Sequence, residues 1–123
     1  LNKSKNIKFW GWCEQSKVYS KTDITVITSP YNFFPYIALE SNSYGIPVIS
    51  ASRGDIRKIV KNNFNGYIFN ERMPIKFNYY INKTIKNYKK LSKNSIINAN
   101  KFNIYKSCHT ISRFLKIENN NIR

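Results

Sequence analysis

Short apolar runs separated by polar turns fill the first half of the chain, and a helical periodicity fills the rest. Residues 7–10 (Ile-Lys-Phe-Trp), closed by Gly11, predict a strand followed by a turn. Residues 17–21 are polar around Val18 and Tyr19 and predict a short helix. Residues 23–28 (Asp-Ile-Thr-Val-Ile-Thr) are β-branched almost throughout, the mark of a buried strand. A loop over 29–34 contains Pro30, and Pro35 suits the first position of a helix, where its missing N–H costs nothing. That helix takes in Ile37, Ala38, Leu39 and Glu40 and stops at Gly45, a natural residue for a left-handed helix terminus. Residues 47–50 predict the next strand, 52–55 a loop, 56–61 a turn or two of helix, and 66–69 a further strand after an Asn-rich turn.

From Pro74 onward Ile75, Phe77, Tyr80, Ile81, Ile85, Tyr88 and Leu91 recur at helical spacing with lysines between them. Residues 95–99 and 107–117 continue as one or two amphipathic helices, and 118–123 are a polar tail. The middle of the chain therefore alternates strand and helix, the pattern of an α/β domain with parallel strands. Two units are expected: a partial α/β domain over 1–73, and amphipathic helices over 74–123 that pack on it. There is no internal repeat.

A length of 123 residues, with 41% hydrophobic and 15% aromatic residues, suits one compact domain with an ample core. No apolar run is long enough to span a bilayer. The first eight residues carry three lysines and no apolar stretch, unlike a secretory signal, and the chain opens on Leu1 rather than Met. It reads as a piece of something longer. The net charge of +15 is open to three readings: compositional drift, since the lysines come with many Asn, Ile and Tyr; attraction to an anionic membrane surface; and nucleic-acid binding. The last is the weakest, because no recognition motif accompanies the charge. Cys13 and Cys108 are far apart, and His109 has no second histidine or nearby carboxylate, so no metal-ligand spacing is present. Reduced structural thiols in a cytoplasmic protein fit this pattern.

The chemistry concentrates between Thr28 and Gly66. Ligands of open parallel sheets bind beyond the carboxyl ends of the strands, and helix N-termini attract phosphate. The N–H groups of Phe34, Tyr36 and Ile37 are the candidates; Pro35 has none. Glu40, about a turn and a half into the helix, can accept hydrogen bonds from two ribose hydroxyls or be a solvated carboxylate.

These residues resemble the C-terminal donor-binding domain of family-4-like GT-B glycosyltransferases. That family carries a stretch similar to Pro-Ser-x-x-Glu-Gly-Phe-Pro, four further residues and Glu-Ala. A Gly-x-Pro-Val-Ile strand, a Gly-Gly loop, an Ile-Val helix and an Asn-Gly turn follow. Here Ser29-Pro30-Tyr31-Asn32-Phe33-Phe34-Pro35 leads to Glu40-Ser41, then Gly45-Ile46-Pro47-Val48-Ile49, Ser52-Arg53-Gly54, Ile59-Val60 and Asn65-Gly66, collinear from about Ile7 to Gly66. The resemblance implies a doubly wound, Rossmann-like parallel sheet with a helical C-terminal tail. It implies that Glu40 binds the donor ribose, that Phe34, Pro35, Tyr36 and Ile37 lie beside the diphosphate, and that Gly11 and Trp12 lie near the base. Asn32 stands at the catalytic position of the family's first glutamate, where it can hydrogen-bond but carries no charge.

The implied activity is transfer of a sugar from a nucleotide-diphosphate sugar to a glycan or lipid-linked acceptor in cell-surface glycan or glycolipid synthesis. Retention is the family norm, and no metal or other cofactor is required. The implied location is the cytoplasm, with peripheral contact at the inner membrane face as one reading of the charge. Asp55 replaces the second glycine of the Gly-Gly loop, and Lys58 stands where glutamate is common. The family's two preceding strands, its Arg…Lys pair and its acceptor domain have no counterpart in this chain. The expectation is a piece cut short on its N-terminal side and inactive alone; the alternative is a noncatalytic nucleotide-binding or interaction remnant. In the strand order 3-2-1-4-5-6 the run at 7–10 is third and that at 23–28 fourth, so a gap and two exposed edges are expected.

Overall fold

The computed structural model describes residues 6–29, 34–70 and 76–114. Its elements are α1 (Gln15–Tyr19), β1 (Thr25–Ile27), α2 (Tyr36–Ser43), β2 (Val48–Ala51), α3 (Ile56–Ile59), β3 (Gly66–Phe69), α4 (Phe77–Lys86), α5 (Tyr88–Ala99) and α6 (Ile104–Phe114). The strands form a parallel sheet in the order β1-β2-β3, with Thr25 beside Val48 and Val48 beside Gly66. The fold class expected from the sequence is the one observed: an α/β unit with a parallel sheet, followed by a helical tail.

Alternation along the strands decides which helix covers which face. Ile27, Val48 and Ile68 share one core cluster with Ala38 of α2 and with Ile56, Ile59 and Val60 around α3, and Phe34 and Leu39 pack against it. On the other face Tyr67 meets Tyr80 of α4 at 5.5 Å between ring centroids, and Phe69 meets Phe77 at 6.1 Å. Every residue of β2 is buried, as a central strand covered on both faces must be.

Glycine fixes two close passages. Helix α2 ends in a Schellman motif: Gly45 takes φ +73°, its N–H reaches Asn42 O at 3.0 Å, and the Ile46 N–H reaches Ser41 O at 2.9 Å. At Gly66 an added Cβ would lie 1.9 Å from the Val48 carbonyl oxygen, so β3 approaches β2 there as only glycine allows.

The strand expected over residues 7–10 is absent. Ile7 and Phe9 are exposed, Phe9 at 86%, and no described strand runs beside them. An alternating apolar pattern specifies a face but supplies no hydrogen-bonding neighbour, and without one the backbone forms no ladder. Pro35 also sits one position earlier than expected, at the N-cap of α2, where its carbonyl accepts the Ala38 N–H at 3.0 Å. In the tail, periodicity runs past a break at Asn87, which ends α4 and starts α5. Helix α5 packs against α2 and α4 against β3, while Ile85 of the predicted stripe stays 60% exposed. Leu91, Ser95 and Asn98 are the buried face of α5. Helix α6 leaves Tyr105 81% and Ile111 57% exposed. Ile75 and residues 115–123 lie outside the described residues.

Three buried asparagines tie these pieces together. Asn65 Nδ2 donates to Asn42 Oδ1 and to Ile59 O, the latter at 2.9 Å. Asn98 Nδ2 donates to the same two acceptors at 3.1 and 2.9 Å. Among the described residues no buried side-chain nitrogen or oxygen lacks a partner.

Candidate functional site

Helix α2 follows the carboxyl end of β1 and contacts both β1 and β2. Its N-terminus is held by Phe34, which is half-buried and makes edge-on contacts with Tyr36 at 4.9 Å and Phe102 at 6.4 Å. Pro35 is buried, while Tyr36 and Ile37 are exposed. One expectation about this terminus is corrected. The Tyr36 N–H is engaged by the Phe34 carbonyl at 2.9 Å, so Phe34 and Ile37 remain the candidate N–H donors toward an anion. Asn32 lies outside the described residues.

Glu40 is not a bare solvated carboxylate. Gln15 Nε2 donates to its Oε1 at 2.8 Å and the Tyr19 hydroxyl donates to its Oε2 at 3.1 Å. Both donors come from α1, four residues apart and so on one face. Tyr19 is braced by stacking on Tyr44 at 5.1 Å. Burial, and then the hydrogen bond to Glu40, push the Tyr19 phenol above its ordinary 10.0. An ionised carboxylate has about four acceptor sites. The two bonds from α1 fix the group's orientation and leave acceptor capacity on each oxygen.

Gly11 adopts φ +61° in open space and Trp12 is fully exposed, at 102%. They belong to the segment that leads into α1. Among the described residues neither makes a hydrogen bond or ring contact with Glu40. Gln15 and Tyr19 were not singled out from the sequence as partners of Glu40; their spacing of four on a short helix was the signal available.

The two departures that follow β2, Asp55 before α3 and Lys58 within it, answer each other. Lys58 Nζ lies 3.0 Å from Asp55 Oδ2, an exposed pair worth at most about 1 kcal/mol. Both cysteines are free thiols, and no group of three or more His, Cys, Asp or Glu side chains among the described residues could hold a metal ion. No described helix is long and apolar enough to cross a membrane.

A parallel sheet with a helix opening at its carboxyl edge places the chain among Rossmann-like α/β domains. Residues 1–102 match the family "Glycosyl transferases group 1", and the chain belongs to that family. It is 40% identical over 50 residues to the uncharacterized glycosyltransferase MJ1607 of Methanocaldococcus jannaschii, covering 41% of this chain and 13% of that protein. Its fold is similar to the pneumococcal O-GlcNAc transferase GtfA in complex with UDP and GlcNAc, with a TM-score of 0.78 at 16% identity over 91% of this chain and 24% of that one. It is also similar to Anabaena Alr3699/HepE in complex with UDP-glucose, with a TM-score of 0.69 at 20% identity over 83% of this chain and 29% of that one. The chain thus spans less than a third of each of these relatives.

Proposed function

We propose that the chain is the donor-binding portion of a glycosyltransferase that uses a nucleotide-diphosphate sugar. The observation that carries this reading is the Glu40 carboxylate, held from one side by Gln15 and Tyr19 on the helix that opens at the sheet's carboxyl edge. Membership of the family and the likeness to folds solved with UDP or UDP-glucose support it. In this reading Glu40 accepts the ribose hydroxyls, and residues Phe34, Pro35, Tyr36 and Ile37 face the diphosphate. Gly11 and Trp12 lie toward the base, and Asn32 hydrogen-bonds near the reacting carbon. The bond from the anomeric carbon to the diphosphate oxygen breaks, the acceptor oxygen takes its place with retention, and the acceptor's proton leaves with the diphosphate. N–H donors and positive charge stabilise the leaving group, and the reading asks for no metal. The acceptor is a glycan or lipid-linked glycan of the cell surface, the setting is cytoplasmic, and transfer needs an acceptor-binding domain.

Calorimetry with UDP-glucose on the full-length protein tests the site. Glu40→Ala should weaken binding by about 1.5–3 kcal/mol, the range for hydrogen bonds to a charged group. Unchanged affinity would reduce Glu40 to a surface carboxylate braced by α1. We further propose a peripheral contact with anionic membrane through Lys86, Lys89, Lys90 and Lys93, which are exposed on α4 and α5. Leu91 of the apolar stripe is buried while Ile85 stays exposed, so the basic face and part of the stripe are available. Each lysine can add about 1 kcal/mol at an anionic surface. Cosedimentation with anionic but not neutral vesicles, weakened by salt, is the expected result, and absence from both would refute it.

A further inference from the structure

Helix α1 is five residues long and has no fully buried side chain, so burial does little to fix it in place. Its contacts with α2 converge on one carboxylate. Gln15 Nε2 reaches Glu40 Oε1 at 2.8 Å and the Tyr19 hydroxyl reaches Oε2 at 3.1 Å, a separate donor for each oxygen. The Tyr19 ring stacks on Tyr44, the residue that closes α2, and this sets where the hydroxyl lies. Both donors are neutral near pH 7, since burial and then the bond to Glu40 push the Tyr19 phenol above its ordinary 10.0. Among the described residues Glu40 makes no ion pair, in a chain that carries 21 Lys and Arg. An amide and a phenol therefore steer the carboxylate without cancelling its charge.

An ionised carboxylate offers about four acceptor sites, shared between its two oxygens. Helix α1 occupies one on Oε1 and one on Oε2, which leaves each oxygen open to a further donor. Two adjacent hydroxyls of a sugar ring can take one oxygen each, whereas a single hydroxyl leaves one of them unused. A glutamate side chain left to itself gives up rotamer freedom when a ligand orders it, and one already held by α1 gives up less. We propose, on the nucleotide-sugar reading of Glu40, that Gln15 and Tyr19 are positioning residues that set the preference for a ribose diol over a deoxyribose. They act through Glu40 and touch no part of the donor.

Calorimetry with UDP and with 2′-deoxy-UDP on the full-length protein gives a ratio of affinities, and damage felt equally by both ligands leaves that ratio unmoved. The wild-type protein should favour UDP by about tenfold or more, the value of one hydrogen bond to a charged group. Glu40→Ala should abolish the preference. Tyr19→Phe removes a single oxygen and keeps the ring that stacks on Tyr44, so α1 stays in place. It should weaken UDP more than 2′-deoxy-UDP and cut the ratio about threefold or more. Gln15→Ala should do the same, and the double variant should approach Glu40→Ala. A wild-type protein with no preference, or a preference that survives Glu40→Ala, overturns the ribose reading and the positioning role with it. A preference lost in Glu40→Ala but kept at its wild-type value in Gln15→Ala/Tyr19→Phe leaves the ribose reading standing and overturns the positioning role alone, even where both ligands bind more weakly.

Discussion

Asn42→Ala and Asn98→Ala remove the same atoms from two buried positions, yet the hydrogen-bond pattern predicts different costs. Asn42 Oδ1 is an acceptor shared by Asn65 Nδ2 and Asn98 Nδ2. Replacing Asn42 with alanine leaves a buried N–H on each of those residues facing a methyl group. At about 1–3 kcal/mol for each orphaned donor, the loss is about 2–6 kcal/mol, before the Asn42 Nδ2 bond to Ile46 O at 3.3 Å is counted. Asn98→Ala orphans nothing comparable, because Asn42 Oδ1 and Ile59 O both still accept from Asn65 Nδ2. Only the net value of two bonds is lost, about 2 kcal/mol. Both residues lie in helices, α2 and α5, so the gain in helix propensity on reaching alanine largely cancels in the comparison. Set against a typical total of about 5–15 kcal/mol, the first variant should be marginal and the second clearly folded. Urea unfolding followed by circular dichroism gives both free energies, with the slope checked for constancy. An Asn98→Ala variant as costly as Asn42→Ala would refute the reasoning from orphaned donors.

Gly66→Ala should destabilise the chain by about 3 kcal/mol, the upper end of overpacking, because the new Cβ would lie 1.9 Å from Val48 O in the central strand. Thermal unfolding checks it, and a loss below about 1 kcal/mol would mean that the two strands can part at little cost. The phenol of Tyr19 is held above its ordinary 10.0, so the stability that its neutral form contributes is complete below that pH and is lost as pH rises through the folded-state value. The alkaline decline of wild-type stability should therefore be steeper than that of Tyr19→Phe; identical declines would show that the contact with Glu40 carries no such linkage.

How much of this was legible in the sequence depends on whether a signal was local. The bounds of β3 agree with residues 66–69 because an Asn-rich turn precedes the strand, and α2 ends where expected because Gly45 supplies the left-handed terminus. The run at 7–10 carries an equally good local pattern, yet it forms no strand, since pairing is a property of two segments. The contacts of Glu40 bridge 21 and 25 positions, and no window of pattern reading spans that distance. Composition concealed the remaining features. In a chain crowded with Asn, the three that cross-link the core look like three more solvated positions.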